Sequence, residues 1–144
     1  MEHGRERGQV LVQVAAMLVG LLIVIGVVID YSLVLTTRRQ LQNAADAGAL
    51  AGARELCAGT RTEAVAAAED YAGRNGATDV TVEIRNLDGD ADPDGSVVWV
   101  EVQDEAPMTL LALAGVDTVD VHSTAASGCQ VTGSACGLWP IAFP

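Results

Sequence analysis

The chain has 144 residues, a formal net charge of −11 and only 3% aromatic residues, although half of it is hydrophobic. The excess of acid argues against nucleic acid or an anionic lipid surface as a partner, because both are negatively charged and repel an acidic protein. The 114 residues after the first thirty are enough for one modest domain with one core.

The first predicted element is a membrane-spanning helix. Val10 to Ile29 are twenty residues among which Gln13 is the only strongly polar one. At 1.5 Å of rise per residue, such a helix spans roughly the 30 Å of a bilayer's hydrocarbon core. The alternative is a buried helix of a soluble domain, but the small, aromatic-poor remainder of the chain is poorly suited to cover it on every side. The lipid bilayer is therefore a predicted partner.

The flanks of the apolar run bear on its orientation. It ends in IDYSLVLTTRR instead of a small-residue cleavage site, which predicts a retained anchor. Arginines stand on both sides, so the charge rule does not decide. Beyond Tyr31 the chain has three cysteines, no lysine and a large excess of acid. This composition favours a single-pass protein of the cell membrane, with a cytoplasmic N-terminus and an extracytoplasmic C-terminal domain.

The short head, residues 1–8, has two interpretations. It is either a cytoplasmic tail or a leader that a membrane peptidase removes between Gly8 and Gln9. The second interpretation rests on a resemblance to type IV prepilins, which have a short charged leader, a terminal glycine and an apolar helix. The chain departs from that pattern because Gln13 stands where prepilins usually have glutamate. Gln13 is still able to hydrogen-bond a neighbouring subunit within lipid.

The helix is expected to continue beyond the membrane as a stem. Good helix formers follow Thr36, and the first convincing stop is Ala58-Gly59, which predicts one helix over residues 9–57, about 73 Å long. Small residues at helical spacing form a surface that another backbone can approach closely: Ala44, Gly48, Ala51 and Gly52. The competing interpretation is that the stem packs on the sheet of its own chain through four other residues: Leu41, Ala45, Leu50 and Leu56.

Three parts of this region together resemble a known family. They are GQVLVQVAAML, the pair Asp30-Tyr31, and RRQLQNAADAGALAGA. They are similar to the N-terminal signature of TadG-like proteins of the tight-adherence (Flp) pilus assembly system, whose relatives are TadE-like pseudopilins. The signature positions are Asn43, Ala44, Ala45, Asp46, Ala47 and Leu50. The resemblance covers about a third of the chain. It implies a membrane-anchored, pilin-like structural component of a pilus or secretion apparatus, without enzymatic activity.

The predicted partners follow from the same resemblance. They are other pilus or secretion-system subunits, in a homo- or hetero-oligomer, and no small-molecule substrate is expected. The residues themselves show no catalytic set: no serine occupies a glycine elbow, the acids are spread along the chain, and both common phosphate-binding glycine patterns are absent from the sequence.

Residues 58–144 are predicted to form a small extracytoplasmic α+β domain. Thr60 and Glu63 form a capping box at the start of a helix over residues 61–72. The predicted apolar stripe of this helix is Ala64, Val65, Ala68 and Tyr71. Alternating valines predict two strands, around residues 80–84 and 98–102, joined as a hairpin by DGDADPDGS. A short helix over residues 108–115 and a third strand over residues 118–125 follow. This order predicts an α+β fold in which a long N-terminal helix packs on one antiparallel sheet, as in pilins.

The hairpin loop contains a possible calcium site. Asp90, Asp92, Asp94 and Gly95 fit the first half of an EF-hand loop, and Glu101 falls at its twelfth position. Both flanks are predicted strands, so Glu101 would lie far along an extended chain and is not expected to be a ligand. What is left is weak calcium binding by Asp88, Asp90, Asp92 and Asp94, against an ordinary solvated turn. No other cofactor is expected.

The three cysteines predict a disulfide. Cys129 and Cys136 enclose six residues with turn formers and are expected to pair in an oxidising compartment. Cys57 then has three options: it lies buried, pairs with either of the others, or links two subunits. A zinc site is not expected, because the cysteines and the two histidines lack ligand spacing.

Three functions are therefore compared. The first is an anchored, TadG-like structural component that stays in the membrane. The second is a processed pilin or pseudopilin that polymerises through its N-terminal helix into an extracellular filament. The third is a membrane-anchored calcium-dependent adhesin, for which the aspartate loop is the sole argument.

Overall fold

The computed structural model describes residues 3–129, with side chains from Gln9 onward. Helix α1 runs unbroken over His3–Ala58, and helix α2 over Arg61–Arg74. The strands are β1 (Asp79–Arg85), β2 (Val97–Pro107) and β3 (Thr118–Gly128), in one antiparallel sheet of order β1-β2-β3. The predicted α+β class, with a long N-terminal helix on a small antiparallel sheet, is confirmed.

The core lies between the second half of α1, the inner face of the sheet and α2. Val98, Val100 and Val102 of β2 are fully buried, and the residues between them point to the other face. Since β2 is the central strand, its inward side chains are covered by both neighbours and by α1. From α1 the core takes small or slender side chains at helical spacing: Leu41, Ala44, Ala45, Ala49 and Ala53.

Helix α2 begins as the sequence predicts. The Thr60 hydroxyl accepts a hydrogen bond from the Glu63 amide, and the Glu63 carboxylate accepts hydrogen bonds from the Thr60 amide and hydroxyl. These bonds from Thr60 hold the pKa of the Glu63 carboxyl below its ordinary value, although burial opposes the shift. The capping box therefore fixes where the chain turns back from the end of α1 onto the side of that helix.

Glycines let the two helices approach closely. A Cβ at Gly48 would lie 2.8 Å from the carbonyl oxygen of Ala68, and one at Gly52 would lie 3.0 Å from that of Ala64. On α2 the buried residues at the contact are alanines. Because neither side has bulk, the helix backbones meet almost directly, and α2 covers one side of α1.

Three local predictions need correction. Residues 108–115 form no α-helix; they contain one 3-10 turn, Leu111–Ala114, ended by Gly115 at a φ of +89°. The turn is too short for an α-helical ladder, and its first amides, which have no partner within a helix, bond to a side chain of α1. Leu50 is 65% exposed instead of seated on the sheet, since it follows buried Ala49 and so lies about 100° further around the helix. Tyr71 is also exposed, and the smaller Ala72 is buried in its place.

Candidate functional site

Between Gln9 and Ile29, helix α1 is exposed around nearly all of its circumference. Its large apolar side chains between Val10 and Ile29 are each between 46% and 77% exposed. Over the part of the chain that the structure describes, this is the one helix long and apolar enough to cross a membrane. The alternative of a buried core helix is wrong, because the folded domain covers the other half of α1.

The predicted leader and assembly residues at this end lie on the same helix. Gly8 is within α1, and Gln9 and Gln13 are exposed. The proposed cut between Gly8 and Gln9 and the role of Gln13 toward a neighbour stay predictions, since both need a second protein.

Asp30, the first residue after the apolar stretch, is a junction between α1 and the connection from β2 to β3. Its side chain is 2% exposed. Its Oδ1 accepts hydrogen bonds from the amides of Thr109 at 2.6 Å and Leu110 at 3.2 Å, and its Oδ2 from those of Leu110 and Leu111, both at 2.9 Å. One carboxylate thus satisfies three consecutive amides at the start of the 3-10 turn.

Gly26 lies one helical turn before Asp30 and receives the side chain of Leu110. A Cβ at Gly26 would stand 2.8 Å from Leu110 Cβ, so only glycine leaves room for this contact. The β2–β3 connection, residues 108–117, is therefore held on α1 by two neighbouring turns of the helix. In the sequence, Asp30 is notable as the acid that follows the apolar run and as part of the family resemblance. Its partners, 79 to 81 residues away, were missed, because no local pattern encodes them.

We expect Asp30→Asn to loosen this junction. Hydrogen bonds to a charged acceptor are stronger than neutral ones, and an asparagine amide would place a donor against the backbone amides that the carboxylate now accepts. Hydrogen exchange at the amides of Thr109, Leu110 and Leu111 should accelerate by about tenfold or more. Asp46→Asn is the matched control, because Asp46 is an exposed carboxylate on the same helix. Unchanged exchange in Asp30→Asn, or equal acceleration in the control, would refute the junction.

The small-residue stripe of the stem faces its own chain. Ala44, Gly48 and Gly52 are buried, and Ala51 is half-buried. The backbone that approaches the glycines is that of α2. Leu41 and Ala45, the other predicted packing residues, belong to the core. The close approach expected from the sequence therefore occurs within one chain at the glycines.

The aspartate loop turns tightly but does not form a ligand cluster. Asp92 accepts a hydrogen bond from the Asp94 amide, and Asp94 lies 3.5 Å from the guanidinium of Arg61. Among residues 3–129, no three Asp, Glu, His or Cys side chains are grouped closely enough to hold a metal ion. Glu101 lies within β2, as the strand assignment requires. Calcium binding by Asp88, Asp90, Asp92 and Asp94 stays a prediction that this geometry does not support.

The disulfide differs from the one predicted. Cys57, next to the end of α1, is bonded to Cys129, just after β3, and their Cα atoms are 5.4 Å apart. The predicted Cys129–Cys136 pair is therefore wrong, since Cys129 already has a partner; Cys136 itself lies outside the described residues. Short spacing favoured the local pair, whereas the fold brings the ends of α1 and β3 together.

An open groove of about 690 Å³ lies between α2 and the β1–β2 hairpin. Its floor is apolar and includes Val65, Ala66, Ile84 and Pro93. The charged residues at it are Arg61, Glu69, Glu83 and Asp92. Among the described residues that line the groove, none pairs a nucleophile with a base.

The apolar helix, the Asp30 junction and the start of the stem coincide with a family match. Residues 8–55 match the model described as "Putative Flp pilus-assembly TadE/G-like". No curated protein and no solved structure matches the chain. The matched segment is 48 of the 144 residues and comprises the exposed apolar half of α1 together with most of the part that packs in the domain. The resemblance is thus confirmed over residues 8–55, the third of the chain that is similar to the TadE/G-like Flp pilus-assembly family.

Proposed function

We propose that the protein is a membrane-anchored, pilin-like structural component of a tight-adherence (Flp) type pilus or secretion apparatus, with a non-enzymatic role. The observation that carries this proposal is the coincidence of the family match with α1. The matched segment begins at residue 8 and extends through the exposed apolar half of the helix into the buried stem.

The structure of α1 supports anchoring with little freedom between anchor and domain. The same unbroken helix is apolar and exposed before Asp30 and packed against α2 and the sheet after it. One end of this helix would be embedded in the membrane, and the other end is part of the domain core. Because no flexible linker separates the two ends, the position of the anchor determines the position of the domain. Such a component would hold its domain at a fixed height above the membrane, where other subunits of the apparatus bind it.

The chemistry of the folded domain supports an extracytoplasmic location. Disulfides persist in oxidising compartments, and the domain is closed by the Cys57–Cys129 bond. We therefore propose that the N-terminus is cytoplasmic and the domain extracytoplasmic.

The second candidate is a filament subunit, and the exposure of the apolar helix is the observation that favours it. An apolar surface of this size needs either lipid or other apolar helices around it. If a peptidase removes residues 1–8, the helices can leave the bilayer and bundle side by side. Nothing in the described loop geometry favours the calcium-dependent adhesin over these two.

The two candidates differ in the mass and location of the chain. Intact mass and N-terminal sequencing should be measured on protein from sheared surface material and, separately, from membranes. The anchored component predicts protein that stays in the membrane fraction. Protein starting at Gln9 in the sheared fraction would overturn the static anchor and establish the filament subunit.

Matched glycine variants make the result specific. Gly8→Val and Gly4→Val change two glycines of the same head, of which only Gly8 borders the suspected cut. An anchored, unprocessed protein predicts the same membrane localisation for both variants. Loss of a shorter species in Gly8→Val alone would demonstrate processing. An N-terminal epitope tag that antibodies reach only after permeabilisation would support the proposed orientation, and a tag accessible on intact cells would contradict it.

A further inference from the structure

The β2–β3 connection is docked at the level of the membrane segment. Leu110 sits on Gly26, which belongs to the last turn of the apolar run and precedes Asp30 by four residues. At 1.5 Å per residue, Gly26 is about 6 Å closer to the bilayer centre than Asp30 when the helix is upright. If Asp30 marks the edge of the hydrocarbon, Leu110 is already at lipid depth.

The connection has the composition of a membrane-contacting segment within an otherwise acidic domain. Residues 106–116, APMTLLALAGV, carry no charge, although acids flank them at Glu105 and Asp117. Leu113 is 85% exposed, and Leu111 and Val116 are also exposed. Leu113 is thus almost uncovered by the described part of the chain, Leu111 and Val116 are partly uncovered, and the neighbouring Leu110 contacts the exposed apolar part of α1.

Most backbone amides of the connection are hydrogen-bonded within the protein, which suits an environment with little water. An unsatisfied amide is costly in lipid. Asp30 accepts hydrogen bonds from the amides of Thr109, Leu110 and Leu111, which would otherwise be unpaired at the start of the turn. Further along, the amides of Leu113, Gly115 and Val116 bond to carbonyls of the same connection. The buried carboxylate thus allows an apolar turn to lie where water is scarce.

We propose that residues 110–116 enter the leaflet on the side of the folded domain and bind lipid acyl chains through Leu111, Leu113 and Val116. This inference rests on the membrane anchoring in the proposed function. The connection meets the apolar part of α1 at the contact of Leu110 with Gly26, so lipid that surrounds the helix at this level also reaches the turn. With the helix and the turn both in the leaflet, the domain is fixed in its tilt as well as in its height.

Depth-dependent fluorescence quenching tests the contact on the full chain in phosphatidylcholine vesicles. In a Cys136→Ser background, a polarity-sensitive maleimide dye is attached after Leu113→Cys, Leu87→Cys or Leu18→Cys. Leu87 is the matched control, because it is 68% exposed and lies in the β1–β2 hairpin loop. Leu18 is at the centre of the apolar run and reports whether the anchor itself is in the bilayer. Vesicles carry either no spin label or a spin label on the acyl chain near the headgroup.

The expected result is a blue-shifted emission at position 113 and quenching by the spin-labelled lipid several-fold stronger than at position 87. If the dye at position 18 is shielded by lipid while the dye at position 113 is fully exposed to water, this inference alone is overturned. A fully aqueous label at position 18 would overturn the anchor and the inference together. Equal quenching at positions 87 and 113 would show that the whole domain lies on the lipid and would refute a specific insertion. A blue shift at position 113 without lipid quenching would mean that a protein covers the turn, and would also refute it.

Discussion

Replacing Cys57 and Cys129 together with serine is expected to lower the free energy of unfolding of the domain by about 4 kcal/mol. The bond joins residues separated by 72 positions, so it removes much of the conformational freedom of the unfolded chain. It also ties the end of α1 to the end of β3, so its loss should let the end of α1 fray. Urea unfolding of the full chain in detergent micelles, followed by tryptophan fluorescence, measures the change.

Cys136→Ser is the control for the pairing. Because the structure pairs Cys57 with Cys129, this single change should leave the free energy of unfolding nearly as it is. Peptide mapping without reduction should recover one cross-linked pair containing Cys57 and Cys129. A map dominated by a Cys129–Cys136 pair, with a large loss of stability in Cys136→Ser, would contradict the observed fold at this point.

Gly48→Leu is expected to destabilise the domain by about 2–3 kcal/mol, because it overpacks the contact between the two helices. The first atom in the way is the carbonyl oxygen of Ala68, which belongs to the backbone of α2 and cannot rotate aside. The leucine gains roughly 1 kcal/mol in helix propensity over glycine, and the steric cost must exceed that gain. The same urea titration measures the net effect.

Gly73→Leu is the matched control. Gly73 also lies in a helix, but a Cβ there meets nothing within 4 Å, so the propensity gain should act alone and leave the domain at least as stable. If Gly48→Leu is as stable as the parent but fails to assemble with other subunits, the stripe contacts a second chain instead of α2. Equal stability with normal assembly would refute a close crossing at Gly48 altogether.

Local patterns in the sequence were sufficient for most secondary structure. The apolar run of twenty residues before Asp30, interrupted only by Gln13, determines a helix of membrane length, and Ala58-Gly59 marks the end of α1. The capping box at Thr60 and Glu63 determines where α2 begins, since its bonds join residues three apart. Alternation at Val98, Val100 and Val102 fixes which face of β2 is buried, because successive side chains of a strand point to opposite faces. The family resemblance likewise belongs to one continuous segment.

Interactions between distant residues required the tertiary structure. Cys57 pairs with Cys129 because α1 and β3 end at the same place, although Cys136 is nearer in sequence. Gly48 and Gly52 meet α2, where the sequence left open a second subunit. Asp30 binds amides about 80 residues away, so the acid that follows the apolar run holds the β2–β3 connection on α1. The sequence by itself thus determined most of the secondary-structure elements and the length of the apolar run. Only the tertiary structure decided which residues of different elements contact each other. Such contacts join residues that are far apart in the chain, so they leave no periodic signal in the sequence.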